Sequence, residues 1–157
     1  MILVGTYHHQ IDENGRFRVP VKFKKPLGIK DKKDRKAEPA TEEEEKFPFI
    51  MKGTNKCLFV YPADIAEKLF FGNFGDCSFT SEDDSDEMRG YTANAAWGEP
   101  DAQGRIALSP ELLEAAELEK DIVSVGVYNH IEIWSEKNWN EYLSGRAKRE
   151  SKPKVKE

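Results

Sequence analysis

The chain is poor in most of what would mark an enzyme, a secreted scaffold or a membrane protein. It has two cysteines, Cys57 and Cys77, and three histidines. The thiols lack zinc-site spacing and are too few for a disulfide framework, so reduced cysteines in a cytoplasmic protein are expected. No apolar run approaches the ~20 residues needed to span a membrane, and the first residues lack a basic stretch followed by a long apolar one. A phosphate-binding glycine loop is missing as well, because Gly72-Asn73-Phe74-Gly75 is not followed by Lys and Ser or Thr. His8, His9, His130 and the cysteines are scattered, and the carboxylates lie mostly in solvated charge runs. No catalytic constellation, metal site, cofactor or small-molecule substrate is therefore expected. Positive charge is also in deficit: 24 Lys and Arg stand against 29 Asp and Glu, a net charge of −5. Spread evenly, that balance would argue against nucleic acid as a partner.

What is present is a repeat. Asp12-Glu13-Asn14-Gly15-Arg16, of form D-x-x-G-R, is followed by Phe17-Arg18-Val19-Pro20, and the pattern returns 89 positions later as Asp101-Ala102-Gln103-Gly104-Arg105-Ile106-Ala107-Leu108-Ser109-Pro110. Gly15 and Gly104 supply the positive φ of a tight turn. Asp and Arg on either side of that turn can pair across it and hold the guanidinium in one orientation. The proline ends strand pairing and suits a first helical turn. Each copy thus predicts a strand, a turn displaying an arginine, a short strand and a helix start.

The copies differ in charge. Arg16, Arg18, Lys22, Lys24, Lys25 and Lys30 against Asp12 and Glu13 leave residues 1–30 at about +4. Residues 99–121 carry Arg105 and Lys120 against seven acids, about −5.

Around the repeats, residues 2–11 read as a strand and Val21–Lys25 as a short helix closed by Pro26 and Gly28. Residues 30–46 contain almost nothing apolar and predict a mobile charged loop. The arithmetic agrees, since the first copy holds about 16 more residues than the second between its turn and its last strand. Phe47–Met51 and Cys57–Tyr61 are expected strands, and Pro62 opens a helix expected to break at Gly72. The acids from Glu82 to Glu87 fit either a solvated loop or an acidic first helical turn, with Met88–Ala96 a possible helix after them. Ser109 and Ser135 are expected N-caps, Ile122–Val127 and Ile131–Trp134 strands, and Trp139, Tyr142 and Leu143 one face of a final helix. Tyr61, Trp134, Trp139 and Tyr142 could stack on bases, but their repeat register points to core. The tail from Arg146 is basic and expected to be disordered. This mixture of strands and helices predicts an α+β class.

The pattern resembles the MraZ family of bacterial transcriptional regulators. Besides the two turns, Cys57-Leu58-Phe59-Val60-Tyr61-Pro62 looks like that family's C-L-x-x-Y-P segment. Arg89 with Ala93-Asn94-Ala95 looks like the helix end before its second repeat, and Val125-Gly126 through His130, Glu132, Ile133 and Trp134 resembles its V-G-x-x-x-H-x-E-I-W signature. The likeness covers roughly residues 2–143. It implies two pseudo-symmetric swapped-hairpin repeats of the AbrB type, forming a small β-barrel-like core with flanking helices. The corresponding division is 1–71 for the first repeat, with its charged insertion at 30–46. A connecting acidic loop and helix follows at 72–96, the second repeat at 97–143 and a basic tail at 144–157. The resemblance further implies a non-catalytic, nucleoid-associated regulator, expected to act as a repressor. It would bind double-stranded DNA at direct repeats upstream of a division and cell-wall gene cluster, and would assemble as a ring-shaped homo-oligomer. A protein-interaction module that has lost DNA binding is the alternative.

Within that frame Arg16 is the principal DNA-contacting candidate, suited to phosphate or to the O6/N7 edge of guanine. The competing role is pairing with Asp12 or with a neighbouring subunit. Arg18, Asn14, Lys24 and Lys25 join it, the two lysines standing where AbrB-type repeats carry a basic pair before a segment like Leu27-Gly28-Ile29. His9 occupies a position where related repeats can carry Arg. Arg105, in acidic surroundings, is expected to be structural or to lie at a subunit interface, with Asp12, Gly15, Asp101 and Gly104 shaping the turns. Val4 and Asn14 stand where relatives often have basic residues, which lowers the expected affinity.

Overall fold

A computed structural model describes residues 1–30, 46–75 and 81–150. Eight strands and five helices are described: β1 (Thr6–Gln10), β2 (Arg16–Arg18), α1 (Val21–Lys24), β3 (Phe49–Lys52), β4 (Leu58–Tyr61), α2 (Ala63–Phe74), α3 (Glu82–Thr92), β5 (Ala96–Trp97), β6 (Arg105–Ala107), α4 (Pro110–Ala115), β7 (Asp121–Val127), β8 (His130–Ser135) and α5 (Glu136–Glu150). The class is mixed α+β.

Six strands form one antiparallel sheet in the order β1-β7-β8-β4-β3-β5, and β2 pairs with β6 in a separate two-stranded ribbon. The sheet reads the same way from both ends. Two hairpins, β3–β4 and β7–β8, meet in the middle through β4 and β8. The strand that precedes each D-x-x-G-R turn borders the hairpin following the other turn, so β1 pairs with β7 and β5 with β3.

Period-2 alternation decides what each face of the sheet buries. Ile50, Leu58, Val60, Ile122, Ile131 and Ile133 point to one side. There they pack with Phe17 and Ile106 from the ribbon and with Phe23, Leu27 and Leu112 from the segments behind it. Tyr7 and Phe23 meet edge to face at 5.0 Å, which seats α1 against β1. On the opposite side, Val123, Val125 and Trp134 pack with Trp139 and Tyr142 of α5, while Phe49 meets Phe70 of α2. Trp134, Trp139 and Tyr142 lie within 5.2–5.5 Å of one another between centroids, as core rather than as a stacking platform.

The expected barrel-like closure is not what forms. The sheet is open, with β1 and β5 at its edges, and the ribbon lies across one face instead of bridging those edges. Two features account for this. Each turn carries its chain away from the sheet, so β2 and β6 pair only with each other, and β5 is two residues long.

Several boundaries also move. The first strand is regular only over Thr6–Gln10. Gly5 takes φ 104°, and Gly126 lies so close to the backbone of Leu3 and Val4 that no Cβ would fit there. Helix α2 runs through Gly72 and ends at Gly75 with φ 58°. The acids after Ser81 open α3: the Ser81 hydroxyl accepts from Asp84 N–H, and Glu82, Asp83 and Asp84 complement the helix N-terminus. The helix therefore starts earlier than Met88, and β5 was not anticipated. Helix α5 continues to Glu150, taking in Arg146–Glu150 of the expected tail; Arg146 bonds Glu150 at 3.1 Å. The Ser109 and Ser135 caps form as expected. The 31–45 part of the charged run, Cys77 and residues 151–157 lie outside the described residues.

Candidate nucleic-acid interface

Both D-x-x-G-R turns are built the same way. Asp12 Oδ1 accepts the backbone N–H groups of Asn14 and Arg16, each at 2.9 Å. Asp101 Oδ1 accepts those of Gln103 and Arg105, also at 2.9 Å. The Asp side chain thereby closes the turn, and Gly15 at φ 72° and Gly104 at φ 79° complete it. Gly15 is required twice over, because a Cβ there would lie 3.0 Å from Leu113 Cδ1 and 3.2 Å from Leu108 O. The second carboxylate oxygen holds the arginine: Arg16 Nε donates to Asp12 Oδ2 at 3.0 Å and Arg105 Nε to Asp101 Oδ2 at 3.1 Å.

The register of the ribbon brings the turns together. Phe17 lies opposite Ile106, Arg16 opposite Ala107, and Arg18 opposite Arg105. A local pseudo-twofold axis therefore passes through the Phe17–Ile106 pair. Those two side chains point down into the core, so Arg16, Arg18, Arg105 and Ala107 share the outward face. The charge pairs cross the axis as well. Arg16 Nη1 is 3.9 Å from Asp101 Oδ2, and Arg105 Nη1 is 3.6 Å from Asp12 Oδ2. Two carboxylates and two guanidiniums form one part-exposed quartet whose charges cancel. Backbone N–H donation, foremost from Arg16 to Asp12 and from Arg105 to Asp101, holds both carboxyls below the ordinary aspartate range and keeps them ionised. The arginines are thus fixed in place before any partner arrives, which removes an ordering cost from binding. Arg18, exposed on the same face, supplies the charge that the quartet does not cancel.

The other predicted residues distribute unevenly. Asn14 is exposed at the tip of its turn. Lys24 ends α1 and Lys25 caps it, on the segment leaving the Arg18 end of the ribbon; Lys25 is exposed and Lys24 half-buried. His9 sits on β1 in the large sheet, where its Nε2 meets the buried hydroxyl of Ser124 at 2.6 Å. Burial, with His8 adding to it, lowers its pKa, so the ring is neutral near pH 7. Arg105, expected to be structural, does pair within the quartet, yet it shares the face of Arg16. Sequence reasoning missed Ala107 and the joining of the two turns. The signal was partial: Phe17 and Ile106 are apolar at matching repeat positions and so marked for burial, but the register that sets them opposite each other is long-range. Among the described residues there is no group of three or more His, Cys, Asp or Glu able to hold a metal ion.

The fold and this site define a two-copy α+β protein displaying an arginine-bearing β-ribbon, and comparison with known proteins places it. The chain is 37% identical over 145 residues to the transcriptional regulator MraZ of Moorella thermoacetica, covering 90% of this chain and 86% of the relative. It is 35% identical over 144 residues to that of Carboxydothermus hydrogenoformans, with coverages of 92% and 88%. It is 35% identical over 150 residues to that of Caldicellulosiruptor saccharolyticus, with coverages of 93% and 90%. A family model described as "MraZ protein, putative antitoxin-like" matches residues 92–156. The chain belongs to the MraZ family.

Proposed function

We propose that this protein is a non-catalytic transcriptional regulator that binds double-stranded DNA sequence-specifically through the β2–β6 ribbon. The observation that carries the reading is the outward face of the ribbon, where Arg16 and Arg105 are preorganised by their aspartates and Arg18 stands exposed beside them. A two-stranded ribbon fits the major groove, and a fixed guanidinium can meet the O6/N7 edge of guanine in bidentate fashion. Lys24, Lys25 and Asn14 supply positioning contacts on the N-terminal side. The regulator names of the relatives support the same conclusion.

The exchange of outer strands between the two hairpins favours two swapped-hairpin repeats of the AbrB type as the organising unit, 1–71 and 97–143, joined by 72–96. The ribbon offers few cationic groups, and the protein is acidic as a whole, so one protomer should bind weakly. A ring-shaped homo-oligomer on several direct repeats would multiply those contacts through effective concentration. On this reading the protein is a nucleoid-associated, cytoplasmic repressor of a division and cell-wall gene cluster. A protein-interaction role without DNA has one observation behind it: Asp12 and Asp101 already neutralise two of the three arginines.

The test is binding to duplexes carrying one to four correctly spaced repeats, each at several salt concentrations, after footprinting on the upstream region of the protein's own gene. Affinity and the slope of log affinity against log salt should both rise with repeat number. No footprint and no retention on DNA at low salt would favour the interaction module. Equal affinity and slope for one repeat and for four would remove the ring argument.

A further inference from the structure

We infer that Leu113 of α4 is a positioning residue for Arg16: it braces the first D-x-x-G-R turn against the core, a brace the second turn lacks. The inference rests on DNA binding by the ribbon and adds to it a residue, outside every predicted contact, on which that binding depends.

The side of Gly15 where a side chain would stand is already filled. A Cβ there would meet Leu113 Cδ1 at 3.0 Å and Leu108 O at 3.2 Å, with Leu113 Cδ2 at 3.9 Å. Leu108 N–H also donates to Gly15 O at 2.9 Å, one rung beyond the β2–β6 pairing. Leu113 itself is half-buried and packs against the core. Its helix is held at both ends. At the start, Ser109 Oγ accepts from Leu112 N–H at 3.2 Å. Just past the end, Glu117 accepts from Asn138 at 3.1 Å and pairs with Lys56 at 3.0 Å. Leu112 and Ala116 are buried between them. The second turn has none of this. Among the described residues nothing lies within 4 Å of the position a Cβ would take on Gly104, and no bond from Val19 N–H to Gly104 O extends the ribbon at that end. The counterpart of Leu113 is Lys24, on a four-residue helix whose N-cap, Pro20, makes no side-chain hydrogen bond. Arg16 is the covalent neighbour of Gly15. Packing that fixes the Gly15 backbone therefore fixes the point from which the guanidinium extends, and Asp12 fixes its direction. A group set in place by packing before its partner arrives loses less freedom on binding.

The experiment is a double-mutant cycle on the full-length protein, read by DNA affinity and by amide hydrogen exchange, with a duplex from the upstream region of its own gene as probe. The variants are Leu113→Ala, Leu113→Met, Arg16→Ala and the combination of Leu113→Ala with Arg16→Ala, each checked by circular dichroism and native mass. In wild type the amides of Asn14 and Arg16 should exchange more slowly than those of Gln103 and Arg105, although all four donate to an aspartate at 2.9 Å. Leu113→Ala should abolish that difference and lower affinity about two- to tenfold, the cost of ordering one side chain at the moment of binding. Leu113→Met refills the space and should restore most of both. In the Arg16→Ala background, Leu113→Ala should change affinity by less than about twofold. A loss as large there as in wild type would overturn the inference, because Leu113 would then act through general stability or touch DNA itself. So would equal exchange at the two turns of wild type, or protection at Asn14 and Arg16 that survives Leu113→Ala. Should Leu113→Ala not fold, Leu113→Val is carried through the same cycle and judged in the same way. Failure of wild type to bind the duplex would sink the DNA reading, whereas exchange at the Gly15 turn would still decide the brace.

Discussion

The two D-x-x-G-R copies share a backbone and oppose each other in charge. Where the chain turns or buries a side chain, they agree. Asp12 matches Asp101, Phe17 Ile106, Phe23 Leu112, and Leu27 Ala116, and every one of those apolar residues is buried. Even the exit from the short helices agrees, since Gly28 at φ 76° and Glu117 at φ 51° hold the same left-handed position. Ile29 N–H donates to Lys24 O, and Leu118 N–H donates to Leu113 O, to close equivalent turns. Where the chain faces solvent they part: Arg18 against Ala107, Lys22 against Glu111, Lys25 against Glu114. The comparison separates what fixes the fold, which is the set of turn and core positions, from what fixes the partner, which is the charge of the exposed positions.

The largest effect should come from breaking the shared part. Phe17→Ala and Ile106→Ala each remove a buried side chain at the pseudo-twofold. They should cost about 3–5 and 2–5 kcal/mol of stability in denaturant titrations, enough to threaten a protein of ordinary stability. If either is tolerated with less than about 1 kcal/mol lost, the ribbon is not seated on the sheet as described. Sharpening the divergent part comes next. Arg16→Ala should weaken DNA binding by roughly 1–3 kcal/mol if it reads a base. Arg105→Ala should cost less, acting through the lost contact to Asp12 and through stability, because its side chain is the less exposed of the two. Equal losses by two folded, correctly assembled variants would mean that both copies meet DNA alike.

How much of this was legible depended on range. The turns, the Ser109 and Ser135 caps and the hairpin strands were readable because their causes are local: an Asp that closes on its own N–H groups, a hydroxyl before a proline, apolar alternation. The α+β class follows from those elements. The openness of the sheet was not readable, since it depends on β2 choosing β6 over the sheet edge, a long-range decision between strands of three residues. The quartet was missed for the same reason. Asp12 with Arg16 is visible within one turn, but its contact with Arg105 requires the register of a distant strand. Helix α3 stood as one of two readings because a run of acids is equally a solvated loop; the Ser81 cap decides it.

A smaller effect should separate Gly28 from Glu117. Gly28→Ala keeps ordinary contact distances, 3.5 Å to Lys46 O, so the change tests the backbone alone. A left-handed L-residue costs about 1–2 kcal/mol, and the variant should lose that much. Glu117 already bears this strain and is held by Lys56 at 3.0 Å and by Asn138 at 3.1 Å. Glu117→Gly relieves the strain and releases the two exposed contacts, so its net loss should be smaller than that of Gly28→Ala. Thermal melts of the two variants decide the order, and the reverse order would mean that the exposed contacts outweigh the backbone term.

The smallest expected effect lies at the two edges of the sheet. His9 on the β1 side corresponds in the repeat to Gly98 beside β5. Gly98 leaves room for Ile50 and Ile106, whose Cδ1 atoms would lie 3.1 and 3.3 Å from a Cβ there. That edge is secured by apolar packing and carries no proton at this position. His9 instead pins β1 to β7 through Ser124, with a pKa lowered chiefly by burial and further by His8. The folded state thus binds a proton less readily than the unfolded chain does. The stability this arrangement contributes is complete above the ordinary histidine value of 6.5 and is lost as pH falls below it toward the depressed folded value. Melting temperatures measured between about pH 7 and pH 5 should therefore fall for wild type. The fall should be shallower for His9→Gln, which keeps a polar side chain but cannot titrate. Hydrogen exchange adds the location, because protection at Thr6–Gln10 should weaken on acidification before protection at Ala96–Trp97 does. Parallel melting profiles for wild type and His9→Gln would show that protonation at His9 is not coupled to this edge and that Ser124 is only a packing neighbour.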